Sequence, residues 1–385
     1  MIQMSRDRGV LFMLGAAHSL NHSLFLVLPP LLEKVSWDLN TSFQALGTIA
    51  TVSFLIYGVG ALVGGPLSDR LGGVKVLRLS MALAGASTLI FLVSGDLVTF
   101  SAGMFLMALW SSFYHPTANN LISRVFVANT AGAMGIHGAA GSVGQMFTPT
   151  VAYLIGTMID WRLAFALFGA LSIATALMLG RAPSSMDSPM RETPPLLEIF
   201  KIPNIWILIL FNVIIGLFSR GIELFFPAFL SINRGFSGQL AAVSNSLILL
   251  FGVVGQLVGG AAADRYGSSK VIIASSLGAV ASILLLLLAP LNAIGVIVFV
   301  VGYGISHFAH QPAMTALMGL VSPENLKGAA YGTMFFFAFG LGSVSTMIAG
   351  YLADAFNLEV AFWFMALFAS MALIVSFAIQ RRVKE

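Results

Sequence analysis

Long apolar stretches separated by short polar segments make up most of the 385-residue chain. A helix needs about 20 largely apolar residues to cross a bilayer, and twelve stretches reach that length. In the first half they are residues 9–32, 43–67, 74–94, 97–122, 130–156 and 161–180. In the second half they are residues 203–232, 237–263, 270–289, 292–318, 327–353 and 358–380. The pattern predicts an all-α integral membrane protein with twelve transmembrane helices.

The longest polar stretch lies in the middle of the chain, at residues 181–202, and contains four prolines. Prolines and polar residues at this density are typical of a linker. We therefore predict an N-terminal six-helix bundle at residues 1–180, a cytoplasmic linker at residues 181–202 and a C-terminal six-helix bundle at residues 203–385.

The composition supports a chain that faces lipid. Only 9% of the residues are charged and 58% are hydrophobic, whereas a soluble domain carries about 25% charged residues. Cysteine is absent, which excludes disulfides and thiolate metal sites. The net charge of +4 does not indicate a nucleic-acid partner, because Lys and Arg occur in short clusters between the apolar stretches.

The distribution of Lys and Arg predicts the orientation. If the N-terminus is cytoplasmic, the inside segments hold fifteen Lys and Arg residues, and the outside segments hold three, which are Lys34, Arg162 and Arg234. Basic residues are enriched in cytoplasmic loops. We therefore predict a multi-pass protein with both termini in the cytoplasm, and we expect the membrane to be a prokaryotic inner membrane.

An internal repeat joins the two halves of the sequence. The segment Gly65-Pro-Leu-Ser-Asp-Arg-Leu-Gly72 recurs as Gly260-Ala-Ala-Ala-Asp-Arg-Tyr-Gly267, at an offset of 195 residues. The same offset relates His115 to His310. The glycines permit a tight turn and close helix approach. The charged residues of both copies can cap or bridge helix ends and are predicted to gate a conformational change: Asp69, Arg70, Asp264 and Arg265.

These repeated loops resemble the signature of the major facilitator superfamily, and the resemblance covers the whole chain. A narrower resemblance is to the fosmidomycin-resistance-like efflux subgroup. It rests on four segments: His18 through Pro29-Pro30, Phe113-Tyr-His-Pro116, Gly138-Ala-Ala-Gly141-Ser-Val-Gly144, and Arg220 with Phe226-Pro227. The chain has His22 where the subgroup tends to carry an acidic residue. The resemblance implies proton-coupled secondary transport by alternating access, without ATP or another cofactor.

One arginine and one glutamate lie inside a predicted span. Arg220 and Glu223 stand three residues apart in the seventh span, a spacing that places them on one helix face and allows them to pair. Charges at this depth are costly and usually have a function. We expect Arg220 to contact an anionic solute and Glu223 to carry a proton.

All six histidines fall within predicted spans. In the superfamily that the chain resembles, the first and fourth helices of each half line the cavity, which implies His22, His115, Arg220 and His310 as substrate contacts. Histidine changes charge near neutral pH, so His22 is also a candidate proton carrier. Further candidates are Asn21, Gln145 and Gln311 for substrate, His18 for protons, and His307 as a second choice. For His137, in a glycine-rich stretch, we expect helix packing instead.

Two functions follow from these residues. The first is alternating-access export of a small polar or anionic organic solute in exchange for protons, by a single chain that is not an enzyme. The alternative is a permease for transition-metal ions, because imidazole and thioether groups bind such ions. The alternative would use His307, His310 and Met314, with Met318 one turn further along.

Overall fold

The structure is a computed structural model, and it describes residues 2–125, 130–182, 196–288, 293–323 and 327–383. Within these ranges the regular structure is helical, as the apolar pattern predicts. Most of the predicted linker, residues 183–195, lies outside the described residues. The chain forms two compact units. The first comprises residues 1–41 and 52–191, and the second comprises residues 42–51 and 192–385.

The first unit contains the helices α1 to α8, except that the first part of α3, up to Thr51, belongs to the second unit. The helices are α1 (Ile2–Leu26), α2 (Leu32–Asp38), α3 (Phe43–Leu71), α4 (Gly73–Ser87), α5 (Leu97–Ser111), α6 (Tyr114–Val125), α7 (Thr130–Ile155) and α8 (Trp161–Leu179). Short 3-10 segments at Pro29–Leu31 and Thr88–Val93 extend α2 and α4, and a π-helical turn at Gly156–Asp160 joins α7 to α8.

The second unit contains the remaining helices. They are α9 (Pro203–Ala228), α10 (Gly238–Tyr266), α11 (Ser268–Leu288), α12 (Ala293–Val321), α13 (Lys327–Phe335), α14 (Val344–Ala355) and α15 (Leu358–Arg382). Short turns of 3-10 or π-helix lie at Leu196–Lys201, Phe229–Asn233, Phe336–Gly340 and Leu341–Ser343. The first turn of α3 also belongs here, since the Asp354 carboxylate accepts hydrogen bonds from the backbone N–H groups of Phe43 and Gln44, at 3.1 and 2.6 Å.

Eleven helical stretches among the described residues are long and apolar enough to cross a membrane. Ten of them each match one predicted span. The eleventh, Ile136–Leu179, has 44 residues and covers the two predicted spans at 130–156 and 161–180. The helix is interrupted within it, because Asp160 has an extended backbone with φ −161° and ψ 138°.

Large apolar side chains cover the outside of the helices as well as the inside. Leu177, Leu257 and Ile374 are 69%, 67% and 70% exposed, and each lies within one of the apolar stretches. A soluble protein rarely exposes apolar surface on this scale. Lipid contact accounts for it.

Side-chain caps fix several helix starts. In the first unit Asp96 accepts a hydrogen bond from the backbone N–H of Thr99 at 2.8 Å, and Asp160 caps α8 by accepting one from the backbone N–H of Arg162 at 2.7 Å. Hydrogen bonds from the Thr99 backbone and hydroxyl lower the pKa of Asp96 below its usual value. In the second unit Ser237 and Asn357 cap α10 and α15.

The two repeated loops have the same backbone geometry. Gly72 has φ 92° and ψ 137°, and Gly267 has φ 96° and ψ 143°. In both, the glycine N–H donates to the carbonyl four residues earlier at 2.9 Å. This left-handed conformation favours glycine, so the tight turn expected at both copies is present.

The ends of the helices carry an ionic network in the first unit. Asp38 at the end of α2 accepts hydrogen bonds from Lys34 at 2.6 Å and from the Trp161 indole at 3.0 Å. Arg162 lies 3.9 Å from Asp38 and donates from Nε to the Ser94 carbonyl at 2.8 Å. This network fastens α8 to the ends of α2 and of the segment after α4.

The second unit has a counterpart with the charges exchanged. At the 195-residue offset, Asp38 and Arg162 correspond within two residues to Arg234 and Glu359. Arg234 donates to the Leu286 carbonyl at the end of α11, at 3.1 Å. Burial lowers the pKa of Arg234, and the nearby Glu359 charge opposes that change. In the first unit the arginine, Arg162, lies on the last helix, α8. In the second unit the arginine, Arg234, follows the turn after α9, and the acid, Glu359, lies on the last helix, α15.

Candidate functional site

Four histidines meet inside the first unit, and we call them the histidine cluster. His18 and His22 lie on α1, His115 on α6 and His137 on α7. The His18 ring centroid lies 4.8 Å from His22, 5.0 Å from His115 and 4.2 Å from His137. His22 and His115 are 4.9 Å apart. Packing of three helices thus brings together side chains that are up to 119 residues apart in sequence.

The hydrogen bonds of His18 determine where its proton lies. Its Nδ1 is 2.8 Å from the His137 carbonyl oxygen, which only accepts, so Nδ1 carries the hydrogen. In the neutral ring Nε2 then presents a lone pair. The Nε2 atom of His22 lies 3.1 Å from it and must be the donor. His18 and His22 therefore share a face of α1, as predicted, and their imidazole rings are joined by a direct hydrogen bond.

Tyr114 fixes the proton on His137 by the same logic. The Tyr114 hydroxyl donates to the Leu14 carbonyl at 2.6 Å and lies 2.9 Å from Nε2 of His137. Because its one hydrogen is committed to Leu14, the His137 Nε2–H donates to the hydroxyl oxygen. The His137 ring stacks on His18 with a 10° angle between the planes. These contacts agree with the helix-packing role expected for His137.

Small residues on α7 give α1 the space for this arrangement. A Cβ atom on Gly141 would lie 2.5 Å from Nδ1 of His18, and one on Gly144 would lie 2.1 Å from the Ser19 Cβ. The Ser19 hydroxyl donates to the Ala140 carbonyl at 2.5 Å. The glycines predicted to permit tight helix contact therefore hold the His18 ring against α7.

Asn21 and Gln145 were also predicted as substrate contacts. Asn21 is fully buried, and its amide donates to the Ser111 carbonyl at 3.0 Å and accepts from the Tyr57 hydroxyl at 3.1 Å. These bonds connect α1 to α5 and α3. Gln145 is half-buried on α7. Their contact with a substrate stays a prediction.

In the second unit the predicted pairing of Arg220 with Glu223 is present on α9. Arg220 Nη1 lies 2.6 Å from Glu223 Oε2, and the side chains are 19% and 30% exposed. The guanidinium carbon also lies 4.3 Å from the centroid of the Phe339 ring, which adds a cation–π contact. The guanidinium is thus held by one carboxylate and one aromatic face.

The histidines of α12 lie among aromatic rings, and we call this group the aromatic cluster: Phe211, Phe218, Tyr303, His307 and His310. His307 stacks on Tyr303 with centroids 5.1 Å apart and planes 1° apart. His310 donates from Nδ1 to the His307 carbonyl, and its ring centroid lies 6.0 Å from that of Phe211.

The other predicted residues of α12 are engaged or buried. The Gln311 amide oxygen accepts from Gln256 Nε2 at 2.9 Å, which fastens α12 to α10. Met314 is buried, one turn beyond His310. The metal alternative built on His307, His310 and Met314 stays a prediction.

The two groups of candidates occupy different units. The first unit brings together His18, His22 and His115, and the second holds Arg220 and Glu223 on α9 and His310 on α12. A single site that combines residues of both units stays a prediction. Sequence reasoning named Tyr114 only within the motif that carries the family resemblance and gave it no role. It missed Tyr303, which lies one helical turn before His307.

The predicted gating residues lie at helix ends. Arg70 at the end of α3 is exposed, as are Asp264 and Arg265 at the end of α10. The Asp69 side chain lies outside the described residues. A gating role for these residues stays a prediction.

Known proteins resemble the chain along nearly its whole length. A family model described as the Major Facilitator Superfamily matches residues 11–347. The Fosmidomycin resistance protein of Escherichia coli (strain K12) is 24% identical over 98% of this chain and 94% of its own length. The Gentisate transporter of Corynebacterium glutamicum is 26% identical over 89% of this chain and 81% of its own length. These matches confirm the resemblance predicted from the motifs.

Solved structures share the fold. The D-xylose-proton symporter has a TM-score of 0.82 at 14% identity and covers 96% of this chain and 97% of its own. A bacterial homolog of the human lysosomal transporter Spinster has a TM-score of 0.80 at 17% identity and covers 98% of both chains. At these identities the likeness concerns the fold alone.

Proposed function

The chain belongs to the Major Facilitator Superfamily, and from this premise we propose that it exports a small polar or anionic organic solute in exchange for protons. Membership makes it a multi-pass membrane transporter of a small-molecule substrate. The direction, the coupling ion and the class of substrate are the proposed part. The observation that carries the proposal is the hydrogen bond between His18 and His22.

The pair is built to accept one proton. With His22 donating from Nε2 to the Nε2 lone pair of His18, at 3.1 Å, protonation of the His22 ring leaves the contact intact. The bond then has a charged donor, and such bonds are about twice as strong as neutral ones. His18 Nδ1–H is already committed to the His137 carbonyl.

A second proton has no place in the same geometry. It would have to enter at Nε2 of His18, where its N–H would point at the N–H of His22. The contact would break, and two like charges would face each other in a buried site. We therefore propose that the pair carries a single proton, which His22 exchanges with the substrate pathway.

Substrate charge is inferred from the second unit. Arg220 remains positive at any physiological pH and keeps about a fifth of its side chain exposed, so its guanidinium can receive an anionic group. Glu223 would be released from its 2.6 Å contact when the anion binds, and would then be free to take up a proton. His115 and His310 are the further proposed contacts. The name of the Gentisate transporter is consistent with a carboxylate substrate.

We propose twelve spans rather than eleven. A 44-residue helix would be about 66 Å long, more than twice the roughly 30 Å of the hydrocarbon core. The interruption at Asp160 lies between Met158–Ile159 and Trp161. Two spans on either side of it give six per half and return both termini to the cytoplasm, as the distribution of basic residues predicts.

The test is transport in vesicles. The purified full chain is reconstituted, a pH gradient is imposed, and a panel of organic anions that includes gentisate is offered while internal pH and labelled solute are recorded. We expect solute to move against the direction of proton flow. His22→Gln should lose proton coupling, whereas His307→Gln, a buried histidine of the aromatic cluster, should keep it.

Two outcomes would contradict the proposal. One is solute movement by the wild-type protein without any change of internal pH. The other is full coupling in the His22→Gln variant, provided that it elutes as a folded protein in size-exclusion chromatography.

A further inference from the structure

The histidine cluster offers three nitrogen ligands to one point. We infer that His18, His22 and His115 form a binding site for a first-row transition-metal ion, for which Zn²⁺ is the probe. Their candidate ligand atoms all lie within 4.8 Å of one another. Two of the ligands come from α1 and one from α6. A bound ion would therefore fasten α1 to α6 inside the first unit.

The spacing is close to what a tetrahedral ion requires. With metal–nitrogen bonds of about 2.0–2.1 Å, two ligand nitrogens lie about 3.3–3.4 Å apart. The two Nε2 atoms of His18 and His22 are 3.1 Å apart. His115 faces His18 edge-on, with an 88° angle between the ring planes. The 4.8 Å limit for the three ligand atoms exceeds this tetrahedral spacing by up to about 1.4 Å, so the rings must move closer by no more than that distance.

His18 is already oriented as a metal ligand. Histidines that bind metals commonly donate their other ring N–H to a backbone carbonyl or carboxylate, which fixes the tautomer and the ring. His18 donates from Nδ1 to the His137 carbonyl at 2.8 Å and presents the Nε2 lone pair to the cluster. The stacked His137 ring on one side and the close approach of Gly141 restrict its rotation.

The donor set selects the class of ion. Imidazole nitrogens suit Zn²⁺, Cu²⁺, Ni²⁺ and related ions, whereas Mg²⁺ and Ca²⁺ require oxygen ligands. Three protein ligands leave the fourth position of a tetrahedral ion open. Because the imidazoles are neutral, the bound ion keeps its positive charge, and the open position would attract hydroxide or the carboxylate of a small acid.

Metal and proton compete for the same site. An ion bound at Nε2 of His22 takes the place of the hydrogen that now bridges to His18, and that hydrogen moves to Nδ1 of the same ring. A His22 ring that carries an extra proton has no lone pair left for the ion, so the ion and the extra proton exclude each other. We therefore expect Zn²⁺ to inhibit the transporter rather than serve as its cargo. The binding site itself does not depend on the proposed function, since it can be measured on purified protein without any transport.

The test is metal binding to the full chain, purified with a tag that contains no histidine. Isothermal titration with Zn²⁺ should give one site per chain, and Mg²⁺ should give none. His22→Gln and His115→Gln should each weaken the site by more than the roughly 10- to 100-fold that loss of a supporting hydrogen-bond partner costs. His307→Gln and His310→Gln are matched controls that remove buried histidines of the second unit and should leave the affinity unchanged.

A spectroscopic measurement guards against misfolded variants. X-ray absorption of the Zn²⁺-loaded wild-type protein should show three imidazole nitrogens near 2.0 Å. A shell dominated by oxygen, or equal affinity in the double variant His22→Gln/His115→Gln, overturns the inference. If Zn²⁺ binds but is carried across the vesicle membrane while proton-coupled anion exchange continues, only the expected inhibition is overturned. If the metal-free protein shows no anion exchange, that result counts against the proposed function and leaves the metal site standing.

Discussion

His115 and His310 occupy corresponding positions in the two halves, 195 residues apart, yet their surroundings differ. His115 lies among other imidazoles, 5.0 Å from His18 and 4.9 Å from His22. His310 lies in the aromatic cluster and donates to the His307 carbonyl. The repeated scaffold has thus kept one position while the two units placed different chemistry around it.

Under the proposed function, the difference divides the chemistry between a charge that changes in the first unit and a fixed charge in the second. The histidine cluster is the part that we propose to exchange a proton, and the hydrogens of His18 and His22 lie in defined hydrogen bonds. The second unit holds a permanent cation, Arg220, against Glu223 and Phe339. A substitution that disturbs one cluster should therefore leave a signature that differs from the same kind of substitution in the other.

The largest expected effect is in the second unit. Arg220→Leu leaves the Glu223 carboxylate partly buried without its 2.6 Å partner, which should cost about 2–4 kcal/mol of unfolding free energy, somewhat less than for a fully buried pair. The double variant Arg220→Leu/Glu223→Leu should recover most of the loss. Denaturant unfolding in detergent measures both. Additive losses in the double variant would show that the two side chains do not act as a pair.

The next effect separates packing from chemistry in the first unit. Gly141→Ala places a Cβ atom 2.5 Å from Nδ1 of His18, so the ring or α7 must shift, at a cost of about 1–3 kcal/mol. It should also weaken Zn²⁺ binding. Gly138→Ala, one turn away, meets nothing within 4 Å and should be neutral or slightly stabilising. Thermal unfolding of both variants measures the contrast, and equal effects would refute the close contact.

The smallest effect compares two buried tyrosines. Tyr114→Phe leaves the Leu14 carbonyl and the His137 Nε2–H without their partner, which should cost about 1–2 kcal/mol. Tyr303 acts through ring stacking on His307, and its hydroxyl has no hydrogen bond to another described residue. Tyr303→Phe should therefore change stability by less than about 0.5 kcal/mol. A larger loss for Tyr303→Phe would reverse the assignment.

Spacing along the sequence predicted the side-chain pairs that lie within one helix, but not the contacts between helices that are far apart in sequence. The i,i+3 spacing of Arg220 and Glu223 and the i,i+4 spacing of His18 and His22 gave pairs that the structure contains, because residues at these spacings share a helix face. His137 joins the cluster only because α7 packs on α1, 119 residues away from His18 in sequence. No local pattern contains that information.

The apolar pattern fixed the helices more firmly than their ends. Ten stretches match predicted spans, and the eleventh covers two of them with one extended residue, Asp160, at the predicted boundary. The predicted gap between the spans 130–156 and 161–180 contains that residue, whereas the 3-10 and π-helical turns that flank other helices have no counterpart in the predicted spans. The Asp96 and Asp160 caps, by contrast, are residue types that favour helix starts.

The exchanged charges at the helix ends bear on how the two halves have diverged. Asp38 and Arg162 in the first unit correspond to Arg234 and Glu359 in the second. A chimera that combined one partner from each half would therefore bring two acids or two bases together. If the halves descend from one duplicated ancestor, at least two compensating substitutions have occurred since. What persisted through them was the attraction between opposite signs rather than the identity of either side chain.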